Sequence, residues 1–212
     1  PDWVTAQRAT LRPITIGPWH IRAPWDPPPE SIDPRFDVVI DPGRAFGHGA
    51  HPSTRLALEL FLRAAPTTSH VTDIGTGTGI IAIIAARMGL EVLAVEHDDD
   101  ALEVARRNIE QNSTPPHEAV LDLITLAAED AAVMTVRKGT LVLANVTLDV
   151  HRAIAPRCRS ADRILASGIL CRQVAPLREM YPNHDAVLVR THGEWASVDL
   201  LGHRPSMTAS AS

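Results

Sequence analysis

Between Val71 and Gly79 the chain reads Val-Thr-Asp-Ile-Gly-Thr-Gly-Thr-Gly, an apolar run carrying one acid and then three glycines two residues apart. The first half reads as a buried strand and the second as a turn, because glycine reaches backbone conformations that other residues resist. Directly behind it, Ile80 to Met88 is apolar and alanine-rich, long enough for a buried helix. Strand, glycine turn and helix together make a nucleotide cradle: the glycines let the backbone approach a ligand, and the free amides at a helix start favour polar or anionic groups. A second apolar run, Leu93-Ala94-Val95, ends in Glu96, where a carboxylate can accept ribose hydroxyls. The fold expected of these elements is α/β and doubly wound.

Glycine spacing separates two kinds of cradle. A dinucleotide site for hydride transfer needs G-x-G-x-x-G, and Ile80 stands where its third glycine would be. The alternation of Gly75, Gly77 and Gly79 behind Asp73 instead resembles the first motif of the class I S-adenosylmethionine-dependent methyltransferases. That resemblance implies S-adenosylmethionine as cofactor and a Rossmann-like sheet, mostly parallel with an antiparallel C-terminal strand.

The 212 residues suffice for one doubly wound domain with some appended structure. A net charge of -5 argues against a broad electrostatic grip on nucleic acid. Cys158 and Cys171 have neither metal-ligand nor redox-motif spacing and are read as buried or idle thiols in a reducing compartment. No apolar run is long enough to span a bilayer, and Pro1-Asp2-Trp3 does not open a signal peptide, so the expected location is cytoplasmic.

Residues 1–40 form an N-terminal flap rich in proline and tryptophan. Leu11 to Arg22 reads as two short strands about Gly17-Pro18, and Trp19 and Trp25 are expected to lay the flap on the core. Phe36 to Ile40 is a lead-in strand. Residues 41–204 are expected to form the S-adenosylmethionine-dependent methyltransferase domain that the resemblance implies, and 205–212 a loose tail. Within the domain, a third strand is expected over Glu118 to Leu126, with Ala127, Ala128 and Glu129 bordering an adenine. A further strand is expected over Thr140 to Asn145, a helix over 149–160 and a strand over Arg163 to Ser167. Gly168-Ile169-Leu170 should then turn into a helix ending near Tyr181, followed by an antiparallel pair over Asp185 to Thr191 and Ala196 to Leu201.

The loop from Ala45 to Thr54, Ala-Phe-Gly-His-Gly-Ala-His-Pro-Ser-Thr, is unusually rich in special residues for a connection. With Asp41-Pro42-Gly43 before it, Ala144-Asn145-Val146 and Ser167-Gly168-Ile169-Leu170, it resembles the signature of the PrmA-type ribosomal protein methyltransferases over residues 3–201. A similar loop occurs in the electron-transfer-flavoprotein lysine methyltransferases. Departures are His48 and Ala50 in place of threonines, Glu96 in place of aspartate, and Thr147-Leu148-Asp149 after the asparagine. The sequence begins at what resembles the family's interdomain linker, so the family's N-terminal recognition domain is expected to be lacking.

The resemblance implies methylation of a protein amine, a lysine or terminal amino group. It matches Thr54, Gly75, Glu96 and Asn145 to cofactor-contacting positions. The expected cofactor contacts in full are Phe46, Gly47, Thr54, Asp73, Gly75, Thr76, Gly77, Gly79, Glu96, His97 and Asn145. Asn145, at a strand's carboxyl end, is also the expected catalytic residue, accepting hydrogen bonds from the acceptor amine. Methyl transfer from a sulfonium needs orientation and exclusion of water rather than an acid-base pair. His48 and His51 form an H-x-x-H pair without a third ligand nearby in sequence, so no metal is expected. Two alternatives stay open: a small-molecule methyltransferase, and a non-catalytic S-adenosylmethionine-binding partner protein.

Overall fold

The computed structural model describes residues 12–43, 47, 49–113 and 119–203; Phe46 and His48, named above, lie outside them. Two sheets organise the described residues. The small one holds β1 (Ile14–Ile16), β2 (Trp19–Arg22) and β3 (Asp37–Val39), with β1 antiparallel and β3 parallel to β2. The large one holds β4 (His70–Ile74), β5 (Glu91–Glu96), β6 (Ile124–Ala128), β7 (Leu141–Asn145), β8 (Arg163–Leu170), β9 (His184–His192) and β10 (Trp195–Gly202). Its order is β6-β5-β4-β7-β8-β10-β9, and only β10 runs against its neighbours. This is the expected doubly wound α/β sheet with an antiparallel C-terminal strand. The sequence order turns between β4 and β7, which opens a crevice at the carboxyl ends of those strands.

Helices cover both faces. On one side lie α1 (Pro52–Ala64), α2 (Ile80–Arg87), α3 (Asp99–Gln111) and the short α4 (Ala119–Leu123); on the other lie α5 (Leu148–Ile154) and α6 (Val174–Met180). Strand alternation divides the core accordingly. Leu141, Leu143 and Leu165 pack with the first group, whereas Val142, Ala144, Ile164 and Ala166 pack with Ile154, Leu177 and Tyr181 on the second. Helix α2 is buried over its whole length from Ile80 to Ala86, as its uniformly apolar sequence demands. The small sheet shares the first core through Ile16, Trp19, Ile21 and Val38.

Several boundaries differ from the sequence expectation. The run before β6 begins as helix α4 and the strand starts only at Ile124; an unbroken apolar stretch does not distinguish a helical turn from a strand. Helix α5 ends at Ile154 rather than at 160, and a separate 3-10 turn covers Cys158–Ser160. Strand β8 continues through Gly168 to Leu170, where a turn into a helix was expected. Trp19 is buried and meets the Phe36 ring edge-on at 5.3 Å, whereas Trp25 is 37% exposed.

One packing device fixes the segment leading to the glycine loop. Asn112 accepts from the Val39 N–H and donates to the Val39 carbonyl, at 3.0 and 2.7 Å. Asn108, one helical turn earlier, does the same for Asp41 at 3.0 and 2.9 Å, and also donates to the Thr78 carbonyl at 2.9 Å. Two amides four residues apart on a helix thus mimic a strand's ladder for residues two apart in extended chain. Arg87 closes the arrangement by donating to the Asp37 carbonyl at 2.6 Å and to the Asn112 side chain at 3.1 Å.

Candidate active site

The crevice holds a cavity of about 730 Å³. Its floor is the glycine turn after β4. The N–H groups of Gly75 and Thr76 both donate to the Val95 carbonyl, at 2.9 and 3.1 Å, binding the turn to the end of β5. Gly75, Gly77 and Gly79 all have positive φ (69°, 57° and 79°), the left-handed region in which a side chain is strained. At Gly75 a Cβ would also lie 2.7 Å from Val146 Cγ1. The alternation of glycines is therefore dictated by backbone geometry.

Asp73 is buried beneath this turn. Its Oδ2 accepts from Thr76 Oγ1 at 2.6 Å, and it accepts from the Ala82 N–H in the uncapped first turn of α2. Burial pushes its pKa up to about 7, and the nearby Glu96 charge adds to the rise; the Thr76 and Ala82 bonds oppose it. Asp73 and Thr76 border the cavity, but these bonds organise the cradle itself.

Glu96, at the end of β5, is nearly buried and is held by three backbone amides. Oε2 accepts from Gly77 at 3.0 Å, while Oε1 accepts from His97 at 3.0 Å and Asp98 at 3.2 Å. A carboxylate has about four acceptor positions, so Oε2, with one amide, has more room for a further donor than Oε1. His97 lies on the rim with its ring exposed, 3.4 Å from Oε1.

The opposite wall comes from β7 and α1. His51 caps α1, its Nδ1 accepting from the Ser53 N–H at 3.2 Å, and Pro52 occupies the first helical position. Thr54, in that first turn, accepts at Oγ1 from Asn145 Nδ2 at 3.2 Å. The other end of the amide, Asn145 Oδ1, is buried and has no hydrogen-bond partner among the described residues. A buried acceptor left without a donor is costly, and the residue that carries it lines the cavity. Gly47 joins this wall to the floor, its carbonyl accepting from Thr78 Oγ1 at 2.6 Å. Its φ of 106°, and the 93° of the neighbouring Gly49, give the loop glycines a conformational purpose.

Of the residues named from sequence, Gly47, Thr54, Asp73, Gly75, Thr76, Gly77, Glu96, His97 and Asn145 all line the one cavity. Gly79 does not; it caps α2, and a Cβ on it would lie 3.5 Å from Ala105. The border past β6 is formed by Glu129, Asp130, Ala131 and Ala132, whereas Ala127 and Ala128 belong to the strand itself. That shift follows from the late start of β6. Thr147, Asp149 and Val150, from the start of α5, complete the wall and went unassigned because nothing in their spacing marks a ligand. His51, one half of the H-x-x-H pair, is the α1 cap; among the described residues, no group of three metal-ligating side chains comes together.

The sequence and the fold of this chain have known counterparts. The family model for ribosomal protein L11 methyltransferase (PrmA) matches residues 1–201. The chain belongs to this family. Among its relatives, the ribosomal protein L11 methyltransferase of Desulfitobacterium hafniense is 36% identical over 177 residues, covering 80% of this chain and 54% of that protein. That of Thermus thermophilus is 35% identical over 182 residues, covering 84% and 68%. The chain thus spans about half to two thirds of the length of these family members. In fold it is similar to a ribosomal protein L11 methylase from Lactobacillus delbrueckii subsp. bulgaricus, with TM-score 0.76 and 23% identity over 92% of this chain and 100% of that one. A magnesium protoporphyrin IX methyltransferase from Synechocystis with bound SAM shares the fold at TM-score 0.55 and 14% identity, over 70% and 77%. No helix among the described residues is long and apolar enough to cross a membrane.

Proposed function

We propose that the chain is an S-adenosylmethionine-dependent N-methyltransferase acting on a protein amino group, a lysine or terminal amine, with a ribosomal protein as substrate. The observation that carries the reading is the pairing, across one cavity, of the glycine turn and Glu96 on one wall with Asn145, whose Oδ1 is unpartnered among the described residues, on the other. Membership of the ribosomal protein L11 methyltransferase family supports the substrate class.

The donor set fits the cofactor. Glu96 would take a ribose hydroxyl at Oε2, Gly75 and Gly77 would let the amino-acid portion approach the backbone, and Glu129 to Ala132 would border the base. When bound, S-adenosylmethionine supplies a methyl group on a positively charged sulfur. The protein's part is then to present a neutral amine and keep water out. Asn145 Oδ1 is an uncharged acceptor. A carboxylate in its place would favour the ammonium form, which has no lone pair to attack with, whereas an amide oxygen accepts one N–H without that bias. Because this bond orients the nucleophile, it contributes most in the transition state.

The test is methyl transfer from labelled S-adenosylmethionine to purified ribosomal protein L11. The wild-type chain should label the protein, and Asn145→Ala should lose on the order of a hundredfold in rate with little change in cofactor affinity. Cofactor binding without transfer to any amine would mark the chain as a binding partner. Transfer at the wild-type rate by Asn145→Ala would remove the assigned role.

A further inference from the structure

Behind Asn145 lies a closed set of contacts that the chemistry above does not use. Asn145 and Ser167 are direct register partners on the adjacent parallel strands β7 and β8. The Ser167 side chain is buried, and its hydroxyl donates to the Ser53 carbonyl at 2.8 Å, a bond between residues 114 apart in sequence. Ser53 lies in the same first helical turn as Thr54, whose Oγ1 accepts from Asn145 Nδ2. The path from Asn145 across the strands to Ser167, on to Ser53 and Thr54 and back to Asn145 is a ring through β7, β8 and α1.

We infer that Ser167 is a positioning residue for methyl transfer: its hydroxyl seats the first turn of α1 so that Thr54 holds the nitrogen end of the Asn145 amide and leaves Oδ1 facing the acceptor. This rests on the role proposed for Asn145. The amide has two ends of opposite hydrogen-bonding sense, and the side on which Thr54 sits decides which of them stays free. Thr54 belongs to a helix and cannot adjust alone, so the placement of that helix start fixes the amide.

Ser167 is well suited to this. Its carbonyl accepts from the Val146 N–H at 3.2 Å and from His151 Nε2 at 3.0 Å. The carbonyl can only accept, so Nε2 carries the imidazole proton and Nδ1 accepts from the Tyr181 hydroxyl at 3.2 Å. Two bonds therefore hold the Ser167 backbone independently of its side chain. Loss of the hydroxyl releases the α1 tether and leaves the strand in place.

The experiment uses the full chain, labelled S-adenosylmethionine and ribosomal protein L11, with Ser167→Ala, Asn145→Ala and the double variant. Ser167→Ala should bind S-adenosylhomocysteine within about twofold of wild type yet transfer methyl on the order of tenfold more slowly. In the Asn145→Ala background the same change should alter the rate by less than about twofold, because the group through which Ser167 acts is gone. The side-chain amide resonance of Asn145, identified by its loss in Asn145→Ala, should shift in Ser167→Ala even without cofactor. Thr54→Val, which keeps the shape and removes the acceptor, reads the same ring from its other side if Ser167→Ala folds poorly. Multiplying rate losses in the double variant, or an unmoved Asn145 resonance, would overturn the inference. The reading of Asn145 fails separately, by a wild-type rate in Asn145→Ala alone, and takes the role of Ser167 with it.

Discussion

At the residue scale, the two carboxylates of the cradle do different work. Glu96 has amides on both oxygens, so its removal deprives the cavity of an acceptor and also frees Gly77, His97 and Asp98. One charge-assisted hydrogen bond is worth about 1.5–3 kcal/mol. Glu96→Ala should accordingly weaken S-adenosylhomocysteine binding at least about tenfold by calorimetry, and Glu96→Asp should retain most of the affinity; equal losses would contradict the role. Asp73 and His151 give opposite pH dependences. Burial raises the Asp73 pKa to about 7 from an unfolded value near 3.8, so its contribution to stability is complete at low pH and is lost as pH rises through about 7. Burial lowers the His151 pKa to about 4 from 6.5, so its contribution is present above 6.5 and is lost as pH falls toward 4. Thermal melts should show Asp73→Asn gaining on wild type steadily between pH 4 and 8, whatever the offset at acid pH. A difference that stays flat would mean that Asp73 is ionised throughout.

At the element scale, the cradle was legible because it is local: nine consecutive residues dictate strand, turn and helix start, and Glu96 follows one crossover later. What was not legible depends on neighbours distant in sequence. Gly168 reads as the end of a strand, since glycine weakens one. In the fold the chain leaving β7 crosses so close that a Cβ on Gly168 would lie 2.5 Å from the Val146 carbonyl oxygen, at a φ of 80°. Glycine is there to let β8 pass, and the strand continues. Gly168→Ala should therefore cost more than about 3 kcal/mol in urea unfolding, through clash and strain together. An unchanged midpoint would mean that the crossing relaxes freely. The asparagine clamp was equally hidden, because Asn108 and Asn112 look like polar positions on an amphipathic helix, while their partners lie 67 and 73 residues away. Asn108→Ala leaves the half-buried Asp41 backbone and the buried Thr78 carbonyl without these partners and should destabilise the fold by about 2–3 kcal/mol in the same assay.

At the scale of the whole molecule, the strand order explains why so few residues make the site. Because the order turns between β4 and β7, the glycine turn, the Glu96 carboxylate and the Asn145 amide come from three adjacent strand ends and meet in one crevice. The Gly47 to Thr78 bond and the Thr54 to Asn145 bond bring Gly47 and the start of α1 to the same edge. Everything proposed for the chain follows from that crevice being a cofactor site. The most direct test is calorimetric titration of the chain with S-adenosylmethionine, S-adenosylhomocysteine and a nicotinamide dinucleotide, repeated with Gly77→Val. Comparable affinities are expected for the first two, none for the third, and loss of binding in a folded Gly77→Val chain. Tighter binding of the nicotinamide cofactor, or full affinity for S-adenosylmethionine in Gly77→Val, would contradict it.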